Sequence, residues 1–246
     1  MRTIGDRVPL RPGSGVITGD ALKPHVYASP GGWCVNTDPT SERLLITFGG
    51  LGNPDSKPSF DFWRSTDSFP ASKLYLRDHH RSWYMTGILG LGDVDEAVIA
   101  TRELITQLGT PRVVTLGQSM GGFGALVFGA LVGAHAAVAI VPQTTVRLSQ
   151  RVAMRDRRWA RELWRAERME LPAAVYRDSL PLIAKATATR CLLHIDGSIS
   201  GDRAHCKRLA GLPNVTVREW PFGGHLLAPE LVNRGELGGL LEEAFA

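Results

Sequence analysis

Ser119 stands at the centre of Gly117-Gln118-Ser119-Met120-Gly121, inside the stretch "VVTLGQSMGGFGALVF" from Val113 to Phe128. A glycine-rich turn with no chemistry would show the same five residues. The flanks separate the two cases, because an apolar strand precedes Ser119 and a run with helix-like packing follows it. That is the setting in which a serine is carried on a sharp strand-to-helix turn and presented as a nucleophile. Glycine at 117 and 121 has a steric cause there, since side chains beside so tight a turn would collide. The helix N-terminus favours the negative charge that develops when the serine attacks a carbonyl. The Met120 N–H is then one oxyanion donor. The loop "FGGLG" after an earlier strand supplies a second, with Gly50 and Leu51 as candidates, because glycine lets the backbone approach a carbonyl oxygen closely.

These residues need a scaffold, and hydrophobic periodicity supplies its outline. Apolar runs predict strands at Arg43–Phe48 ("RLLITF"), Lys73–Leu76, "TPRVVTL", Ala136–Val141, "CLLHI" and "NVTVREW". Short extended runs at Gly15-Val-Ile-Thr and His25-Val-Tyr-Ala predict an antiparallel entry to the sheet. A helix is expected from Asp93 to Leu108, capped by Asp93, with Val94, Ala97, Val98, Thr101 and Ile105 on one face. A second helix starts at Ser119, a short one spans Arg203–Ala210, and a C-terminal one starts at Pro229. Strands alternating with helices across short links give an α/β fold with a mostly parallel sheet. Between Arg147 and Ile183 the alternation stops, and a basic helical segment rich in Arg and Trp intervenes. It is expected as a small lid over the C-terminal strand ends, with Trp159, Leu163 and Trp164 as an apolar underside against substrate.

The stretch "LGQSMGGFGAL" around Ser119 resembles the alpha/beta-hydrolase superfamily from about Leu44 to the C-terminus. With "LRDHHRSWYMTG" it is also similar to a bacterial subgroup, which implies no particular substrate. The resemblance implies an eight-stranded, mostly parallel sheet with helices on both faces. It also implies a catalytic triad in the chain order serine, acid, histidine. His225 in "REWPFGGHLLAP" matches the histidine, following a strand and Gly223-Gly224 and preceding the last helix. His205 on a predicted helix, His194 in a strand and His135 in an apolar turn match less well. The acid falls in "DGSISGDRAHC". Asp202, at the start of a helix, is favoured over Asp196, which follows the strand directly; an N-cap is the competing role for Asp202.

Composition narrows the rest. A chain of 246 residues fits one α/β domain, here residues 1–246, with the insertion at about 147–183. The N-terminus shows no apolar signal region, and Cys34, Cys191 and Cys206 form no C-x-x-C pair. Free thiols in a reducing cytoplasm are expected. The long apolar stretch Phe123–Val141 reads as a helix packed on a sheet, a break at Gly133-Ala-His135 and a buried strand, rather than a membrane span. Nine arginines and four acids lie between Arg147 and Arg177, so the basic excess is local. Its arginines, at i+3 and i+4 spacings, form either a solvated helix face paired with Glu162, Glu167 and Glu170 or a surface for an anionic or carrier-bound acyl substrate. No nucleic-acid module is present. Asp78 and its neighbours His79 and His80, together with Gln143 and Thr144, are placed near the site. Asp78 and Gln143 are candidate substrate contacts, although a structural role is favoured for Arg77-Asp78. Adjacent histidines without a second cluster do not make a metal shell, and no cofactor is needed. The function expected is a serine esterase or thioesterase working through an acyl-enzyme on Ser119. An acyltransferase or other non-hydrolytic enzyme on the same fold, and a catalytically dead binding protein, are the alternatives.

Overall fold

The computed structural model describes residues 29, 31–52, 56, 58–110, 112–169 and 174–246. The extended runs expected at residues 15–18 and 25–28 lie outside them. Among the described residues there are seven strands, rather than the eight expected: β1 (Trp33–Asn36), β2 (Arg43–Phe48), β3 (Ser72–Leu76), β4 (Arg112–Gln118), β5 (Ala136–Ile140), β6 (Arg190–Asp196) and β7 (Val215–Trp220). They form one sheet in the order β1-β3-β2-β4-β5-β6-β7. β1 is antiparallel to β3, and every other pairing is parallel. The central strands are apolar on both faces because both are covered. Along β2, Leu44, Ile46 and Phe48 pack with helix α1 (Val94–Leu108) and the Trp83–Leu91 turns. Leu45 faces the opposite layer, which includes Leu240, Leu241 and Phe245 of the C-terminal helix α8 (Glu236–Phe245).

Helix α1 starts where its sequence says it should. Asp93 accepts from the Glu96 amide (2.9 Å), and the Glu96 carboxylate accepts from the Asp93 amide (3.0 Å), closing a capping box. Helix α2 (Met120–Val132) has no polar face, and its first ten residues are buried. That explains why Phe123–Val141 is as apolar as a membrane span although it is, as expected, a core helix followed by a buried strand, β5; no helix among the described residues is long and apolar enough to cross a membrane. The β5–β6 connection is more broken than expected. It comprises α3 (Leu148–Ala153), α4 (Ala160–Glu167), a 3₁₀ turn (Ala174–Arg177) and α5 (Leu180–Lys185). After β6 comes α6 (Ser200–Lys207), and after β7 a 3₁₀ turn (Gly224–Leu226) and α7 (Leu227–Asn233), which precedes α8. Cys34, Cys191 and Cys206 are free and buried, and burial pushes their thiols up to about 11, 12 and 12.

Candidate active site

The turn from β4 into α2 leaves Ser119 at φ 57°, ψ −117°, a conformation that a non-glycine residue holds only when its surroundings enforce it. The enforcement is visible. A Cβ on Gly121 would lie 2.2 Å from the Phe48 carbonyl oxygen, and one on Gly117 would lie 2.1 Å from the Gly121 carbonyl oxygen. The Ser119 amide donates to the Ile140 carbonyl of β5 (2.9 Å), and the Gln118 side-chain oxygen accepts from the Ala228 amide of α7. The turn is thereby fastened both to the next strand and to the helix after the histidine loop.

Three residues far apart in sequence meet at this turn. Ser119 Oγ lies 2.9 Å from His225 Nε2, and His225 Nδ1 lies 3.1 and 3.0 Å from the two carboxylate oxygens of Asp202. A carboxylate on Nδ1 selects the Nδ1–H tautomer and leaves Nε2 as the acceptor facing Ser119. Asp202 sits in the first turn of α6, fully buried, and makes no cap hydrogen bond, so the N-cap role does not apply. Asp196 is occupied elsewhere. It accepts from the Ser198 amide (2.8 Å) and, at 2.8 Å, from the Gly224 amide next to His225. The Ser198 side chain, followed by the Ser198 and Gly224 amides, holds its carboxyl below the usual carboxylate range. One aspartate touches the histidine, and the other pins the loop that carries it.

The β5–β6 segment reaches into this group through Arg158, one of the arginines expected on either a solvated helix face or an anion-binding surface. Its Nη1 donates to Asp202 Oδ1 at 2.7 Å, while its Nε and Nη2 donate to Asp156 at 2.9 and 2.8 Å. Nη1 also lies 3.3 Å from His225 Nδ1, so two donors share one carboxylate. Asp156 accepts in turn from His205 Nε2 at 3.1 Å, and His205 Nδ1 accepts from the Thr144 amide at 3.0 Å. Burial lowers the His205 pKa, which agrees with a neutral ring that accepts at one nitrogen and donates at the other. Burial works to raise the Asp156 carboxyl, but His205 and Arg158 outweigh it and hold it below the ordinary range. The guanidinium rests against the backbone of Gly201, where a Cβ would lie 2.5 Å from Nη2. The signal available in the sequence was that glycine, immediately before Asp202.

The other expected site residues divide. Gln143, fully buried, donates from Nε2 to Ser119 Oγ (3.1 Å), and Trp83 Nε1, which can only donate, fixes the amide by donating to its Oε1 (3.2 Å). Thr144 turns from the expected site toward His205. The Trp159 ring lies against the His225 ring, centroids 4.6 Å apart and planes tilted by 42°. Trp164 does not join it. It is 51% exposed and carries Arg168 over its ring, because α4 buries Leu163 and Ala166 and thus turns residue 164 outward. Asp78, also expected near the site, is 1% exposed. Its buried carboxylate accepts from the amides of His80, Ser82 and Tyr84 and organises that turn. In the Gly49–Gly52 loop, where an oxyanion donor was expected from Gly50 or Leu51, the Gly50 amide is given to Asp61 Oδ2 (2.7 Å). Among the described residues no group of acids, cysteines and histidines could hold a metal ion.

Comparison with solved structures places this arrangement on a known fold. The chain is similar to the capsule O-acetyltransferase of Neisseria meningitidis serogroup A (TM-score 0.62, 17% identity, 85% of this chain and 91% of that one). It is also similar to a carboxylesterase structure from Nitrososphaera gargenis (TM-score 0.55, 11% identity, 88% and 97%). A fluorophosphonate-binding serine hydrolase of Staphylococcus aureus aligns at TM-score 0.54 and 15% identity, over 83% and 90% of the two chains. No protein-family model and no curated protein matches the sequence. The chain has the alpha/beta-hydrolase fold. Its structural neighbours include both serine hydrolases and an O-acetyltransferase.

Proposed function

We propose that the chain is a serine enzyme that cleaves a carboxylic ester or thioester through an acyl-enzyme on Ser119. The observation that carries this reading is the unbroken chain of contacts from Asp202 through His225 to Ser119 Oγ. Ser119 Oγ bonds to the substrate carbonyl carbon while His225 Nε2 takes its proton. The amides of Met120 and Leu51 hold the oxyanion, and Asp202 stabilises the imidazolium. As the tetrahedral intermediate collapses, the bond to the leaving oxygen or sulfur breaks and His225 protonates that atom. Water, deprotonated by His225, then attacks the acyl-enzyme, releases the acid and restores the Ser119 hydroxyl. Gln143 donates to Oγ and holds the hydroxyl in line with Nε2. The likeness to an O-acetyltransferase supports a second reading, in which a substrate hydroxyl replaces water in the last step. Incubating the protein with a panel of acyl esters and thioesters, with and without a competing alcohol, decides between them. Free acid in both arms means hydrolysis, and a new ester means transfer. No acyl product in either arm would sink both readings.

Arg158 is a positioning residue in this scheme. A hydrogen bond to a charged group contributes about 1.5–3 kcal/mol. If Arg158 holds Asp202 where the imidazolium forms, Arg158→Met lowers kcat roughly 10- to 100-fold. KM stays near the wild-type value, because Arg158 is engaged with two carboxylates rather than with substrate. Rates are normalised to active sites counted with a stoichiometric inhibitor. A rise in KM with kcat unchanged would mean that Arg158 binds substrate instead.

A further inference from the structure

The β5–β6 segment carries a cavity of about 490 Å³, of a size that suits a small ligand, walled by Leu148 and Val152 and ringed by Arg151, Arg155 and Arg157. Leu148 and Val152 are 44% and 67% exposed. Arg155 and Arg157 are exposed and make no ion pair among the described residues. Arg151 is 2% exposed. Its Nη2 donates to the carbonyls of Asp156 and Arg158, and its Nε is buried without a hydrogen-bond partner. Asp156 and Glu167, whose Oε1 accepts from the Leu148 amide (2.9 Å), lie close enough to attract Arg151, but the oxygens of Asp156 are taken by Arg158 and His205, and neither acid pairs with Arg155 or Arg157. Charge therefore remains unbalanced in a concave, otherwise apolar site. The two exposed guanidinium groups, Arg155 and Arg157, match an anion with several oxygens better than a single carboxylate, since each can donate in a fixed fork, while Arg151, its Nη2 engaged with two carbonyls, adds positive charge beneath them.

We propose that this cavity is a second binding site, for a phosphoryl group carried on an extended, partly apolar chain. The arginines take the phosphoryl oxygens, and Leu148 and Val152 cover the chain next to them. The site is separate from Ser119 but is linked to it, because Asp156 at its edge holds Arg158, which holds Asp202. Binding needs no turnover, so it is measured by calorimetry on Ser119→Ala protein and is independent of the acyl-enzyme reading. The probes are 4′-phosphopantetheine, pantetheine and inorganic phosphate. Saturable binding of 4′-phosphopantetheine is expected, at least tenfold tighter than pantetheine, with inorganic phosphate weaker than 4′-phosphopantetheine and competing with it. Replacing both exposed arginines, Arg155→Ala with Arg157→Ala, weakens 4′-phosphopantetheine at least tenfold and leaves the melting temperature unchanged. Equal affinity for the phosphorylated and unphosphorylated chains, no binding, or an unchanged affinity in the double variant would each overturn the proposal.

Discussion

Treated with a fluorophosphonate, the wild-type protein should gain the mass of one adduct, and Ser119→Ala should gain none. The reagent reports an activated hydroxyl rather than an accessible one, since an ordinary serine alcohol reacts too slowly to label. His225→Ala keeps the nucleophile but removes the group 2.9 Å from it that takes its proton, so it also stays unlabelled over the same interval. With a turned-over substrate, each variant should lose on the order of 10⁴- to 10⁶-fold in kcat, the scale seen when one member of such a unit is removed. Ser119→Ala removes a single oxygen from a turn whose backbone is fixed by the Gly117 and Gly121 contacts, so the fold is retained. An adduct that persists on Ser119→Ala would place the reactive residue elsewhere and end the acyl-enzyme reading.

The second large effect separates the two aspartates of one loop. Asp202→Asn should lower kcat by about 10⁴-fold, as loss of the charge on a triad histidine does. The asparagine amide faces two donors, His225 Nδ1 and Arg158 Nη1, where the carboxylate accepts from both. Its one oxygen can serve them only if its NH₂ points at neither, and the imidazolium then forms without a counter-charge. Asp196→Asn keeps one acceptor and loses the hydrogen bond from either Ser198 or Gly224. It is expected to lower the melting temperature and to reduce kcat less than tenfold. Steady-state kinetics on both variants, with melting curves, makes the comparison. Equal losses, or a larger loss at Asp196, would reassign the acid.

This pair also marks where reading the sequence reached its limit. The strands were legible because both sheet faces are covered, so β5 appears as an unbroken apolar run and β2, after Arg43, as one interrupted only by Thr47. The serine turn was legible because its glycines have a steric cause, and the structure shows the backbone atoms responsible. Asp202 was favoured over Asp196, but local pattern did not fix the choice, because they share one loop and the choice depends on where α6 begins. It begins at Ser200, which turns Asp202 back toward His225. Arg158 was hidden for a different reason. Its contact with Asp202 spans 44 residues, and its neighbours suggest a regular basic helix face. The helix is in fact interrupted, with Trp159 at φ 49°, and this break points Arg158 and Trp159 inward. Trp164 was misplaced by the same assumption of regularity. The fate of the Gly50 amide depended on Asp61, in a loop whose course no local pattern sets.

The ion pair between Arg158 and Asp202 has a consequence for how such an enzyme can diversify. In this architecture the connection after the fifth strand would be the freely variable part, exchanged to suit a new substrate while the reacting groups stay untouched. Here that connection carries the counter-ion of the buried carboxylate beside His225. A graft that preserved the shape of the segment but not a guanidinium at position 158 would strand a charge at the centre of the machinery. If this segment also sets substrate preference, recognition and rate would be inherited together, and descendants with new preferences should have kept this arginine or replaced the aspartate it serves.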